Sequence, residues 1–195
     1  MIITYKTLEK DCPYAQLEAA AGLIWDTDPY IYPAMFSSRA EAVGIIPRMF
    51  LAGDAMFRPE HLFAAESGGE VIGIILWTRG PLKWTPEIYR RCGGSSPHIE
   101  RVRRGYFDSY RDIAPDMISL INVCVKDGAR GKGVGGAMLD RFIGEHDRPM
   151  ELYVLADNDP AIRLYSSRGF GIVETLRGFS LDDPDLKCHR MVRNV

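Results

Sequence analysis

A chain of 195 residues, 46% hydrophobic and 26% charged, is long enough for one compact domain that buries roughly two-thirds of its unfolded surface. Four cysteines without a Cys-x-x-Cys pair argue against a zinc ribbon or a disulfide framework and suit a reducing cytoplasm. A net charge of −2 offers no overall attraction to nucleic acid or anionic membrane; MIITYKTLEKD carries no signal-peptide core, and no apolar run approaches the roughly 18 residues of a membrane span.

The opening MIITYKTL alternates like an edge strand, and Leu17, Ala20, Ala21 and Ile24 then recur as one helical face between Pro13 and Trp25. After the turn-prone Asp26-Thr27-Asp28-Pro29, the aromatic connection YIYPAMF leads to Ser37-Ser38, which can cap a helix running through Val43, Ile46 and Phe50. HLFAAE and EVIGIILW flank Ser67-Gly68-Gly69 and predict an antiparallel hairpin. From Gly80 to Pro115 the pattern breaks into an Arg-rich stretch with a helix expected over 99–111. It reads either as a functional insertion or lid, or as a solvated surface excursion. MISLINVCV is a buried strand, followed by a helix over Val134–Glu145, the strand ELYVLAD, a helix over Pro160–Ser167, the run FGIVETL and a last strand near Lys187–Val192. No repeat, low-complexity tract or linker divides the chain, so residues 1–195 read as one domain.

Between Val125 and the following helix lies K-D-G-A-R-G-K-G-V-G-G-A, with glycines at Gly128, Gly131, Gly133, Gly135 and Gly136. Glycines let bare backbone N–H groups approach an anion. The helix that follows buries Val134, Met138, Phe142 and Ile143 on one face, so its positive N-terminus points at the loop. Arg130 and Lys132 add full charges, and a diphosphate is the occupant such a cradle suits. The kinase-type P-loop is excluded because no Gly-Lys is followed by Ser or Thr. The dinucleotide pattern G-x-G-x-x-G is met formally by Gly131, Gly133 and Gly136, but five residues separate Val125 from Gly131 and too little chain follows for two mononucleotide halves. A glycine-rich turn that merely lets a helix pack closely on a sheet is the remaining structural alternative.

Arg130, Gly133 and Gly135 also fill R-x-x-G-x-G after a strand of the form V-x-V, and Asn158, Ala161, Leu164, Tyr165, Gly169 and Phe170 fill N-x-x-A-x-x-L-Y-x-x-x-G-F. In these two ordered motifs the chain resembles the GNAT superfamily of N-acetyltransferases. The resemblance is close over residues 119–170, weaker over the hairpin at 61–77 and slight elsewhere. It implies an α/β fold with a mixed, mostly antiparallel sheet, split between two strands of the C-terminal half, and with helices on both faces. It implies acetyl-CoA or coenzyme A as co-substrate, with the diphosphate on the loop Arg130, Gly131, Lys132, Gly133, Val134, Gly135 and Gly136. The pantetheine arm then lies along the backbone of Val123 and Val125 and against Asn158. Tyr165 is implied as the general acid that protonates the leaving sulfur, since a phenol of pKa about 10 is neutral at pH 7, and a backbone N–H near Val123 is implied as the oxyanion donor. Read alone, Tyr165 is an ordinary helix tyrosine, and Asn158 or Asp159 is a helix cap.

The chemistry calls for no metal, and His61, His98, His146 and His189 show no ligand spacing. Cys124, in mid-strand, reads as a small core residue and not as a nucleophile. Where some members of the family carry a glutamate base this chain has Ser119, which leaves Glu66, Asp116, Tyr106 or a water chain to take the amine proton. The acceptor, a small-molecule or peptide amine, is expected among Tyr30, Tyr32, Phe36, Trp77, Trp84, Tyr106 and Tyr110. Those aromatics serve equally to roof the core or to join two copies of the chain. The competing function is a non-catalytic acyl-CoA-binding module that keeps the loop but has no productive acceptor pocket.

Overall fold

Seven strands make one sheet in the computed structural model, which describes residues 2–53, 56–82, 84–110, 112–177, 183 and 185–195. They are β1 (Thr4–Thr7), β2 (Leu62–Ser67), β3 (Glu70–Arg79), β4 (Ile118–Val125), β5 (Met150–Leu155), β6 (Gly171–Arg177) and β7 (Lys187–Arg193). The spatial order is β1-β2-β3-β4-β5-β7-β6, and every neighbouring pair is antiparallel except β4 with β5. The helices are α1 (Tyr14–Trp25), α2 (Ile31–Met35), α3 (Arg39–Ala52), α4 (Pro86–Arg91), α5 (Ile99–Gly105), α6 (Val134–Glu145) and α7 (Asp159–Ser166). The mixed, mostly antiparallel sheet agrees with the fold expected from the sequence.

Local chemistry explains the joints. Gly68 and Gly69 carry φ of +60° and +82°, the pair of left-handed residues that turns a strand back in two residues without splaying the hairpin. Ser38 caps α3 by accepting the Glu41 N–H at 3.2 Å, while the Glu41 carboxylate accepts the Ser37 N–H at 2.6 Å. The first bond satisfies a donor left over by the helix end, and the second ties down the residue that precedes the cap.

The two sheet faces bury separate cores. On one, residues of α1 to α5 pack against Leu62, Ala64, Ile74, Leu76, Ile121 and Cys188; on the other, α6 and α7 pack against Phe63, Ile75, Ile118, Leu120 and Met191. The apolar connection YIYPAMF contains the short helix α2, whose Ile31, Tyr32 and Met35 are buried. The stretch 80–115 is neither a solvated excursion nor a detached lid. Its Trp84, Tyr89, Ile99, Val102 and Phe107 join the main core, and Ser96 Oγ donates to the Ala34 carbonyl at 2.6 Å. Two of its arginines are tied up locally, Arg90 and Arg103 on Glu100 and Arg103 also on Asp108. Among the described residues no helix is long and apolar enough to cross a membrane.

Candidate active site

The sheet opens between its two parallel strands. β4 and β5 pair over three positions only, from Ile118 with Met150 to Leu120 with Leu152, although β4 runs on to Val125 and β5 to Leu155. At that point the β3–β4 ladder slips by one: Leu76 faces Asn122 but Trp77 faces Leu120, leaving Ile121 as a bulge. A bulge bends its strand and disrupts pairing. Beyond it the Lys126 N–H donates to the Ile72 carbonyl at 2.8 Å. Pairing alternates along an antiparallel ladder, so Val123 and Val125, out of phase with Lys126, turn their N–H and C=O groups away from β3 and toward the gap.

One end of the gap is closed by the glycine loop. A single 3-10 turn, Asp127–Ala129, leads into Gly131 and Gly133 with φ of +72° and +77°, a region costly to residues with a Cβ. Gly133 is the N-cap of α6 and offers no side-chain cap; the first helical bond there is Ala137 N–H to the Gly133 carbonyl. The N–H groups of Val134, Gly135 and Gly136 therefore lie ahead of that bond and face outward as a set of donors at a positive helix end. Arg130 bends back so that its Nε donates to the Val125 carbonyl at 2.9 Å and its Nη1 pairs with Asp127 at 2.9 Å. One of the two strand groups expected to meet a ligand is thus held by Arg130 in this structure.

The opposite wall is α7. Asn158 Oδ1 accepts the Ala161 N–H at 3.2 Å, settling the cap on Asn158 over Asp159. Ala161, Leu164 and Tyr165 line the groove together. Tyr165 is 8% exposed, and burial first, then the Cys124 thiol, raises its hydroxyl well above the ordinary phenol value. It stays protonated at neutral pH, and its oxygen makes no hydrogen bond to the described residues, so the proton is available to a bound molecule. Cys124 lines the same groove, and burial pushes its thiol up, which keeps it from acting as a thiolate.

Of the residues singled out in the sequence, Val123, Val125, Arg130, Gly131, Gly133, Val134, Gly135, Gly136, Asn158 and Tyr165 line this one groove, whose empty volume with its mouth is about 1390 Å3. Lys132 does not; its Nζ donates to the Gly128 carbonyl at 2.7 Å. The candidates for a base scatter. Glu66, on β2, is occupied by Lys6 at 3.2 Å and Gln16 at 2.9 Å, and Asp116 is exposed on the surface. Ser119 donates to Glu151 at 3.0 Å, a carboxylate with no exposed surface that Arg190 also grips through Nε and Nη2 at 2.9 and 2.7 Å. Most of the expected acceptor aromatics roof the core instead. Tyr32, Phe36 and Trp84 are buried, and Trp77 packs on the α6 side between His61 and His146. Tyr106 alone of them lines a cavity next to the groove, and the side chain of Tyr110 lies outside the described residues. That cavity also holds Asp28, which sequence reasoning passed over as a turn residue. Glu151 had one visible signal, a charge inside an apolar strand run.

A protein-family model described as the acetyltransferase (GNAT) family matches residues 23–170. Over 57 residues the chain is 49% identical to a mycothiol acetyltransferase of Corynebacterium urealyticum; the match takes in 27% of this chain and 17% of that relative. An N-acetyltransferase from Staphylococcus aureus Mu50 superposes with a TM-score of 0.69 at 13% identity, over 97% of this chain and 99% of that one. The ribosomal-protein-S18-alanine N-acetyltransferase from Escherichia coli does so with a TM-score of 0.60 at 17% identity, over 100% and 94%. Arabidopsis thaliana Naa50, in complex with the bisubstrate analogue CoA-Ac-MVNAL, gives 0.57 at 12% identity, over the whole of both chains. At these identities the solved structures speak for the fold.

Proposed function

The chain belongs to the acetyltransferase (GNAT) family and is an acyltransferase; from that membership we propose that it moves an acetyl group from acetyl-CoA to the amine of a small molecule or peptide, by direct attack with both substrates bound. Residues 1–195 act as one domain, with 80–115 as an insertion packed into it, in the cytoplasm, where its four cysteines remain unpaired. The observation that carries the reading is the parted β4–β5 pair, with uncapped helix N–H groups at one end of the gap and a buried, protonated Tyr165 in its wall.

The residues present fit a coenzyme A thioester. The N–H groups of Val134, Gly135 and Gly136 meet the diphosphate, with Arg130 and Lys132 balancing its charge. Both cations are exposed and held only by local contacts, so they are free to swing onto a phosphate at little cost. The outward backbone of Val123 and Val125 takes the place of a missing strand partner for the amide-bearing pantetheine arm, and the Asn158 amide nitrogen, left over from its capping role, adds a donor. The Val123 N–H meets the charge that develops on the carbonyl oxygen. Tyr165 donates its proton to the departing sulfur.

Thermal shift with acetyl-CoA, coenzyme A, ATP and NAD tests this, because a ligand that binds only the folded state raises the melting temperature. A rise with acetyl-CoA and coenzyme A alone is expected; a rise with NAD alone would overturn the reading in favour of a dinucleotide site.

A further inference from the structure

The groove continues past Tyr165 into a second cavity, whose empty volume with its mouth is about 670 Å3, and Thr27, Val123, Asn158, Ala161 and Tyr165 are walls of both. A molecule that approaches the acyl position from the side away from the glycine loop meets this cavity first. No Lys, Arg or His lines it, and its one carboxylate is Asp28. The titratable groups around that carboxylate are Tyr106 at the end of α5, Tyr153 on β5, Tyr165 on α7 and Cys188 on β7, with Tyr32 of α2 behind them, and none of these side chains can carry a positive charge. The polar wall behind is already bonded to itself: Tyr32 donates to Asn122 at 2.8 Å, Asn122 to Thr27 at 2.6 Å, and Thr27 to the Ile24 carbonyl at 2.6 Å.

Asp28 is held in one orientation. Its Oδ1 accepts the N–H groups of Tyr30 and Ile31 at 2.7 and 2.8 Å, and its Oδ2 has no partner among the described residues. A half-buried carboxylate with a free oxygen and no cation nearby is an attractor for a positive charge.

We propose that Asp28 is the acceptor-recognition residue, binding the ammonium group of a primary amine in this cavity and taking up the proton that the amine sheds before it attacks. This rests on the reading of the adjoining groove as an acyl-CoA site. The balance closes: the amine loses one proton to Asp28, the C–N bond forms as the C–S bond breaks, Tyr165 gives its proton to the sulfur and recovers one from the new amide nitrogen. Asp28 then releases its proton to solvent, so one proton is freed for each amide made. Burial raises the proton affinity of Asp28 above that of an ordinary aspartate, in the direction a proton acceptor needs.

S-(2-aminoethyl)-coenzyme A and S-propyl-coenzyme A differ only in a terminal ammonium against a methyl group, and the coenzyme moiety delivers either one to the Tyr165 junction. Calorimetric titration of the full chain should show the aminoethyl compound binding about tenfold tighter or more, as for a hydrogen bond to a charged group, with the preference fading on acidification. Asp28→Asn keeps an oxygen for the Tyr30 and Ile31 N–H groups; it should bind the propyl compound like wild type and lose the preference. Equal binding of the two by wild type, or a preference that survives in Asp28→Asn, would overturn the role of Asp28 and leave the acyl-CoA reading standing. Failure of wild type to bind either compound would remove both. The wild-type comparison decides by itself should the variant not fold.

Discussion

Gly135→Asp separates folding from binding because the two effects have opposite signs. Gly135 is the second residue of α6, and a Cβ there would stand 3.4 Å from Val125 Cγ2 and 4.0 Å from Leu164 Cδ2, which is ordinary contact. Removing a helical glycine gains about 0.5–1 kcal/mol, and a carboxylate in the first turn gains about 0.3–1 kcal/mol from the helix dipole. The variant should therefore melt no lower than wild type. At the groove the same carboxylate faces the phosphates: two unit charges about 4 Å apart repel by about 4 kcal/mol at an effective dielectric near 20. Allowing for screening and side-chain rotation, at least about 2.8 kcal/mol survives, a hundredfold weaker Kd. Calorimetric titration with acetyl-CoA, beside a thermal melt, reads both numbers, and Gly135→Ala serves as the uncharged control with a much smaller loss. A folded Gly135→Asp protein that binds acetyl-CoA as wild type does would remove the diphosphate from this helix end.

Tyr165→Phe deletes the proton donor while keeping the ring that packs on Phe170; turnover should fall about 100-fold with acetyl-CoA affinity unchanged, and undiminished turnover would end the general-acid assignment. Arg190→Met strands the buried Glu151 with Ser119 as its one remaining side-chain partner among the described residues, which should cost about 3–5 kcal/mol in urea denaturation. Adding Glu151→Leu should restore most of that loss, and a single variant as stable as wild type would show that the pair matters little. Alkali should destabilise the fold from about pH 9 upward. Cys188 is pushed by burial from 9.0 to about 12, and Tyr153 by burial and the Glu151 charge from 10.0 to about 12. The unfolded chain loses these protons first, so folding stability declines as pH rises through the unfolded values. A flat denaturation midpoint across that range would contradict the burial of both groups.

Legibility in the sequence followed the range of the interactions. The glycine loop, the Gly68-Gly69 hairpin and α6 with its boundaries Val134–Glu145 could be read because each is set by residues within a few positions of one another. The parted strands came only through family resemblance, since strand-pairing length leaves no local pattern. The bulge at Ile121 had no signal at all in MISLINVCV. Aromatics stayed ambiguous for the opposite reason: Tyr32, Phe36 and Trp84 suit a pocket wall and a core roof equally until tertiary packing assigns them to the core, and a turn aspartate looks like mere punctuation until Tyr106, Asn122 and Tyr153 close around it. Glu151 showed itself as a charge inside an apolar strand run, but its partner could not be read because Arg190 lies 39 residues away.

Ile121 also decides which face of the sheet each residue of β4 presents. Before it, the even-numbered Ile118 and Leu120 face α6; after it, the odd-numbered Val123 and Val125 do, while Asn122 and Cys124 are handed to the other side. One supernumerary residue inverts parity down the remainder of the strand, much as a frameshift inverts the meaning of every codon downstream. Loss of a single residue there would turn every residue that follows it to the opposite face of the sheet at a stroke. The length of this strand is thus as much a determinant of the site as the identity of the residues in it.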